Sequence, residues 1–160
     1  MKVSQHPLYH TWNGMVRRCK DPKNINYPDY GARGIEVYEE WSERGFHGTT
    51  QTPPGFIKFL KYIDENLGQR PEGCSIDRID NNSGYMPGNV RWADNSTQNI
   101  NRRCPNGSLR NIKKVPSGKY QVNMWYNKKQ YYVGTYTTVE EAIISRDNYR
   151  KKLQEAKCRQ

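Results

Sequence analysis

The stretch Ser75-Ile-Asp-Arg-Ile-Asp-Asn-Asn-Ser-Gly-Tyr-Met-Pro-Gly-Asn-Val-Arg-Trp-Ala-Asp-Asn-Ser-Thr-Gln-Asn-Ile-Asn-Arg-Arg103 decides how this chain of 160 residues is read. It divides into a short strand, a polar loop, a second short strand and a polar helix. The first strand carries two carboxylates, Asp77 and Asp80. Side-chain amides follow on the helix at Gln98, Asn99 and Asn101, and the basic pair Arg102-Arg103 closes it. Hard oxygen ligands from a hairpin and the helix behind it suit Mg²⁺, which takes one or two protein ligands and keeps its waters and substrate phosphates. That combination belongs to metal-assisted phosphodiester cleavage.

The pattern resembles the ββα-metal, or HNH, nuclease motif, especially that of phage and mobile-element homing endonucleases. Asp77-Arg-Ile-Asp80 matches the first strand and Asn89-Val-Arg-Trp92 the second. Gln98 falls nine residues after Asn89, where the helical ligand is expected. The family's first strand typically reads Asp-His-Ile-Asp, with the His as general base. Arg78 stands in that place, and a guanidinium keeps its proton and cannot take one from water. Upstream, His6-Pro-Leu-Tyr-His-Thr-Trp-Asn-Gly-Met-Val-Arg-Arg-Cys19 and Tyr30-Gly-Ala-Arg-Gly-Ile35 resemble elements of one branch of phage HNH proteins, whose members carry the same Asp-Arg-Ile-Asp. The resemblance covers residues 6–103. Its weight lies in the order and spacing of several elements, since an isolated Asp-x-x-Asp carries none.

The resemblance implies a catalytic group of Asp77, Arg78 and Asn89, to which His6 is added as the candidate base. Asp77 would ligate Mg²⁺ or another divalent cation, together with Gln98 or Asn99; the helix register is open between these two, and Gln98 equally suits the helix surface. Asn89 is expected to organise the hairpin more than to do chemistry. Asp80 is expected in a polar turn with Asn81 and Asn82, where it positions Arg78 or a water. Arg78 would add charge at the scissile phosphate. With Arg78 excluded as base, His6 is the first choice to activate water and His10, one turn on, the second; a metal-bound water or a substrate phosphate are the other routes. Arg33, Arg91, Arg102 and Arg103 are expected at phosphates, although the glycines flanking Arg33 equally suit a tight turn. Trp92 alternates with Arg91 and is expected in the core.

Composition narrows the partners. Hydrophobic residues make up 34% and mean hydropathy is −1.10, so no single core can be large. Twelve Tyr and four Trp supply much of the apolar area while tolerating a wet surface. The net charge of +10 is uneven: residues 105–160 hold 12 Lys and Arg against 4 Asp and Glu, a net +8, while residues 1–104 hold 14 against 12, a net +2. A basic, aromatic-rich third points to a polyanion. No polybasic amphipathic helix with a broad apolar face is evident, so a membrane is not the expected partner, and neither is a small molecule. Cys19, Cys74, Cys104 and Cys158 lie far apart with neither zinc nor disulfide spacing, which favours free thiols in a reducing compartment. With no signal peptide or long apolar run, a cytoplasmic location is expected, the host's if the chain is phage-encoded.

Periodicity predicts a helix over residues 7–19, with Leu8, Trp12, Met15, Val16 and Cys19 on one face. Loop follows over 21–34, a short strand over 35–38 and a polar loop over 42–55. A second amphipathic helix runs through Phe56, Phe59, Leu60, Ile63 and Leu67 and stops at Gly68. After the hairpin and polar helix, Cys104-Pro-Asn-Gly-Ser108 is a turn-rich break. Three strands are predicted over 108–114, 119–126 and 130–136. Thr138 and Glu141 then form the capping box of a last helix, with Ala142, Ile143, Arg146, Tyr149 and Leu153 on one face.

Three strands and a helix, with Gly118-Lys-Tyr120 and Tyr132-Val-Gly-Thr-Tyr-Thr-Thr-Val-Glu-Glu-Ala142, resemble the plant ethylene-response-factor (APETALA-type) DNA-binding domain over about 45 residues. In that family the sheet lies in the major groove. Arg110, Lys113, Lys114, Tyr120, Asn123, Trp125 and Tyr132 match its DNA-facing positions. Several Arg and Trp of the family are Lys, Asn or Tyr here, so the mode of binding carries over better than the target.

Together these readings predict an α+β chain: an HNH-like ββα-metal nuclease domain over 1–104, then a three-stranded antiparallel sheet packed on one helix over 105–160. The expected function is a metal-dependent DNA endonuclease acting on double-stranded DNA, of the phage homing kind. The alternative is a sequence-preferring DNA-binding protein that has lost its general base, and a weaker one is a structural RNA-binding protein. Target sequence, nicking against double-strand cleavage, and oligomeric state are not legible in the sequence.

Overall fold

The computed structural model describes residues 5–45, 51–102 and 108–157, with the side chains of 156 and 157 left aside. The chain divides into two compact units, residues 1–93 and 94–160. The fold is α+β.

In the first unit, α1 (Tyr9–Lys20) buries Trp12, Met15, Val16 and Cys19, a spacing of three and four that keeps one face inward. Its last turn carries Arg17, Arg18 and Lys20, where cations complement the helix dipole. Two single-turn 3-10 helices follow, Tyr27–Asp29 and Gly31–Arg33. A short helix, α2 (Glu39–Ser42), lies where the sequence offers too few periodic residues to announce it. The Trp12 indole N–H donates to the Trp41 carbonyl at 2.7 Å and ties α2 to α1. α3 (Pro54–Asn66) buries Phe56, Phe59 and Ile63. It stops at Gly68, whose N–H donates to the Ile63 carbonyl from a backbone with φ +64° that favours glycine.

The unit's β-structure is the antiparallel pair β1 (Ser75–Arg78) and β2 (Val90–Ala93). Its register sets Asp77 opposite Arg91 and Arg78 opposite Val90. Residues 35–38, expected as a strand, form only one parallel bridge, between Val37 and Tyr85. The Tyr85 N–H donates to the Glu36 carbonyl and the Tyr38 N–H to the Tyr85 carbonyl, both at 2.8 Å. A Cβ on Gly84 would lie 2.5 Å from the Glu36 carbonyl oxygen, so this approach needs glycine. Trp92 packs partly buried against the core.

The second unit opens with α4 (Asn95–Asn101), capped by Asp94, whose carboxylate accepts from the Thr97 N–H at 2.7 Å and from its hydroxyl at 2.5 Å. The three-stranded antiparallel sheet is ordered β3 (Ile112–Lys114), β4 (Tyr120–Tyr126), β5 (Lys129–Tyr136). β3 is shorter than the 108–114 predicted. Asn111 takes a left-handed φ of +67°, and the buried Arg146 holds the carbonyls of Ser108 and Arg110 instead of a strand partner. β4 and β5 are joined by Asn127-Lys128, both at positive φ, as a type I′ hairpin requires. α5 (Val139–Lys157) packs on the sheet and starts with the predicted box. The Glu141 N–H donates to the Thr138 hydroxyl, and the Glu141 carboxylate accepts from the Thr137 and Thr138 N–H groups, all at 3.2 Å.

Of the predicted break at 104–108, only Ser108 is among the described residues, as are only Cys19 and Cys74 of the cysteines, both free thiols. Among the described residues no helix is long and apolar enough to cross a membrane.

Candidate metal centre and nucleic-acid interface

Asp77 sits in mid-strand on β1, and its partner is fixed by the sheet register. Arg91 on β2 donates to Asp77 Oδ2 from Nε at 3.3 Å and from Nη2 at 3.1 Å. The two side chains are only 13% and 17% exposed, so solvent screens this pair weakly. Arg91, expected at a phosphate, thus has a carboxylate as its first partner.

Arg78 is buried, and its Nη1 donates to the carbonyls of Asn81 at 3.0 Å and Ser83 at 2.8 Å. Its guanidinium lies 5.1 Å from the Tyr30 ring centre and 5.0 Å from that of Tyr85. Arg18 contacts the same two rings, at 4.9 Å and 5.0 Å, and donates to the Tyr85 hydroxyl at 2.7 Å and 3.1 Å. Tyr30 and Tyr85 themselves stack, 6.4 Å apart and 14° from parallel. Two cations and two rings therefore form one block at the mouth of the hairpin. Burial pushes the Tyr85 phenol up to about 12, against the lowering effect of Arg18. Burial likewise raises the Cys19 thiol despite Arg18 and Arg78 nearby, so it is a poor nucleophile. Arg78 thus clamps the loop, its Nη1 engaged by two carbonyls and its guanidinium against two rings. Sequence flagged Arg78 but not this block, because Arg18, Tyr30, Arg78 and Tyr85 are scattered along the chain.

Asn89 closes the loop from the other side. Its Oδ1 accepts from the Asp80 N–H at 2.8 Å, and its Nδ2 donates to the carbonyls of Asp80 at 3.1 Å and Gly84 at 2.7 Å. It organises the hairpin, as expected. The Asp80 carboxylate accepts from the Asn82 N–H and the Ser83 hydroxyl, both at 2.9 Å. These bonds hold its pKa below the ordinary value, the backbone bond contributing most. Asp80 is therefore a turn residue.

His6 is half-buried at the start of α1. Its Nδ1 accepts from the Leu8 N–H at 3.2 Å, and its ring meets Phe56 edge-on at 5.4 Å. Nδ1 is thereby engaged with the backbone at the start of α1. His10 is exposed beside Tyr9. Arg33 donates from Nη1 to the Asp29 carbonyl at 3.0 Å and from Nη2 to Asn82 Oδ1 at 3.1 Å, joining its turn to the hairpin loop.

Gln98 and Asn99 lie on α4 in the second unit, Gln98 half-buried and Asn99 exposed. The helix is tethered to α5 at its C-terminal end. Arg150 donates from Nε to the Ile100 carbonyl and from Nη2 to the Arg102 carbonyl, and Gln154 donates to Asn101 Oδ1 at 3.0 Å. Arg102 is exposed at the end of α4, while Arg103 lies outside the described residues. Among the described residues, no three or more His, Cys, Asp and Glu side chains are grouped to hold a metal.

The register of the sheet sorts the predicted DNA-facing residues into two groups. Lys113 pairs with Gln121, Gln121 with Thr135, Asn123 with Tyr132 and Trp125 with Gln130. These side chains share the face turned away from α5, where Trp125 is 61% and Tyr132 62% exposed. Tyr132 and Thr135 hydroxyls are 3.0 Å apart, a hydrogen bond that orients the ring. Lys114 and Tyr120 pair with each other, and Tyr120 with Tyr136, whose hydroxyl bonds to Ser145 on α5. They belong to the opposite face with buried Val122 and Met124, and Lys114 Nζ lies 5.8 Å from the Tyr120 ring centre. Arg110 is exposed in the turn before β3. Gln121, Gln130 and Thr135 join the open face without having been predicted; the period-two alternation through Trp125 and Tyr132 was the available signal. Comparison with protein-family models, curated proteins and solved structures finds no match to this chain.

Proposed function

We propose that the chain is a metal-dependent DNA endonuclease whose second unit holds duplex DNA on the open face of its sheet. The observation that carries the nucleic-acid reading is that face: exposed Trp125 and Tyr132 flanked by Lys113, Gln121, Asn123 and Gln130, in the part of the chain with net charge +8. Amides supply paired donors and acceptors for base edges, Lys113 supplies charge for phosphate, and the aromatic rings supply apolar contact.

The cleavage reading rests on the ββα order of β1, β2 and α4 and on the resemblance carried by residues 75–103. Asp77 would hold the cation. A divalent cation there neutralises charge on the scissile phosphate and the departing 3′ oxygen. Asn89 and Arg78 act on the protein, not the substrate: from opposite sides they fix the loop that joins the two strands. His6 is engaged at the start of α1, so in this reading a phosphate oxygen of the substrate takes the proton of the attacking water. The second reading, a DNA-binding protein that does not cut, is favoured by the same Arg78 geometry, which places no base on β1.

Supercoiled plasmid incubated with the protein and Mg²⁺ tests the proposal. Relaxed or linear product should form with Mg²⁺ and not with EDTA. Intact plasmid at protein concentrations that retard it in a gel would leave the second reading.

A further inference from the structure

Asp77 and Arg91 are cross-strand neighbours, and the guanidinium grips one carboxylate oxygen with two N–H groups at 3.1 Å and 3.3 Å. A cation that ligates Asp77 must compete with that fork. Both side chains are more than four-fifths buried, so neither solvent nor salt loosens the pair much. Arg91 cannot release the carboxylate by losing its own proton. It can release it only by swinging to another anion of comparable strength, and a DNA phosphate is one to which a guanidinium forks equally well.

We infer that Arg91 is a latch on the Asp77 carboxylate, opened by a phosphate of bound DNA, so that divalent metal and DNA enter the site together. This rests on the proposed role of Asp77 as metal ligand. Linkage then makes the coupling reciprocal: DNA raises metal affinity by the factor by which metal raises DNA affinity. A DNA-free protein with a closed latch binds metal weakly.

The test is Mn²⁺ binding, followed by electron paramagnetic resonance of the unbound ion, on the full chain with and without a short duplex carrying a non-hydrolysable phosphorothioate backbone. The proteins are wild type, Arg91→Gln, Arg91→Lys and Asp77→Asn. Wild type should bind Mn²⁺ at least tenfold more tightly with duplex than without. Arg91→Gln should bind Mn²⁺ at least tenfold more tightly than wild type without duplex, and the duplex should add little further. Arg91→Lys keeps the charge but loses the fork, and should fall between the two, which separates an opened latch from a disturbed hairpin. Asp77→Asn should lose the site with or without duplex. If Asp77→Asn binds Mn²⁺ like wild type, the metal-ligand role of Asp77 fails. If Asp77→Asn loses the ion while Arg91→Gln matches wild type without duplex, that role stands and the latch is overturned.

Discussion

Replacing Arg78 tests whether this buried arginine is chemical or architectural. The structure gives it two charge-assisted hydrogen bonds, to the carbonyls of Asn81 and Ser83, and two aromatic neighbours, Tyr30 and Tyr85. Hydrogen bonds to a charged group are worth about 1.5–3 kcal/mol each. A cation over an aromatic ring adds about 0.5–2 kcal/mol, and here two rings share one cation. Some of this is recovered in a variant, because Asn82 is exposed and water can reach the loop. Arg78→Ala should therefore destabilise the first unit by about 3–4 kcal/mol, a large part of the ~5–15 kcal/mol that holds a domain together. Arg78→Lys can meet one carbonyl but cannot stack as a plane, and should cost about 2 kcal/mol. Arg78→His should not raise any cleavage rate, because position 78 is buried against Tyr30 and Tyr85. Urea denaturation followed by tryptophan fluorescence reports the unit through Trp12 and Trp41, both buried in its core. Hydrogen exchange at Ile79 reports the hairpin, since its N–H donates to the Asn89 carbonyl at 2.9 Å. The reasoning is refuted if Arg78→Ala unfolds within about 1 kcal/mol of wild type while cleavage disappears.

The Asp80 carboxylate has a depressed pKa in the folded chain, so its contribution to stability is complete above the unfolded value of 3.8 and is lost as pH falls through the lower folded one. The difference in urea midpoint between wild type and Asp80→Asn should thus be constant at pH 5–7 and shrink below about pH 4; a difference that grows on acidification contradicts the sign. On the sheet, Trp125→Ala and Tyr132→Ala should leave thermal stability nearly unchanged, within about 0.5 kcal/mol, because both rings are exposed. Each should weaken duplex binding in a gel-shift titration, and Lys113→Ala should weaken specific and random duplex alike while reducing the log–log salt slope by about 0.9. Arg150→Ala removes the donors to the Ile100 and Arg102 carbonyls and should destabilise α4 by about 2 kcal/mol, seen as faster hydrogen exchange at its amides; unchanged protection would show that the tether does not matter.

The elements with strong periodicity were legible from the sequence. The buried stripe of α1, the Gly68 stop, the capping box at Thr138 and Glu141 and the antiparallel β4–β5 pair all follow from local chemistry. α2 and the two 3-10 turns were not, since a segment of four residues or fewer carries too little pattern. Residues 35–38 read as a strand through their alternating Ile35 and Val37, yet strands need partners, and among the described residues the Tyr85 backbone alone bridges there. At the candidate site, Asn89 announced its loop role through its place ahead of the second strand. Arg78 did not announce a clamp, because its partners are two loop carbonyls and two tyrosines, one of them far upstream. Assigning Lys114 and Tyr120 to the DNA-facing group failed to follow the strand register, which puts alternate residues on opposite faces; the register through Lys113, Gln121 and Thr135 separates them from Asn123, Trp125 and Tyr132.

The most direct measurement is the rate of nicking of supercoiled plasmid by Asp77→Ala beside wild type, in Mg²⁺, with duplex affinity measured on the same two preparations. Wild type should relax the plasmid, and Asp77→Ala should be slower by about 10³-fold or more while its duplex affinity, carried by the sheet of the second unit, stays within about threefold. Equal nicking by the two proteins would contradict the assignment of Asp77, and an inert wild type that binds duplex tightly would contradict the account of the chain as an endonuclease.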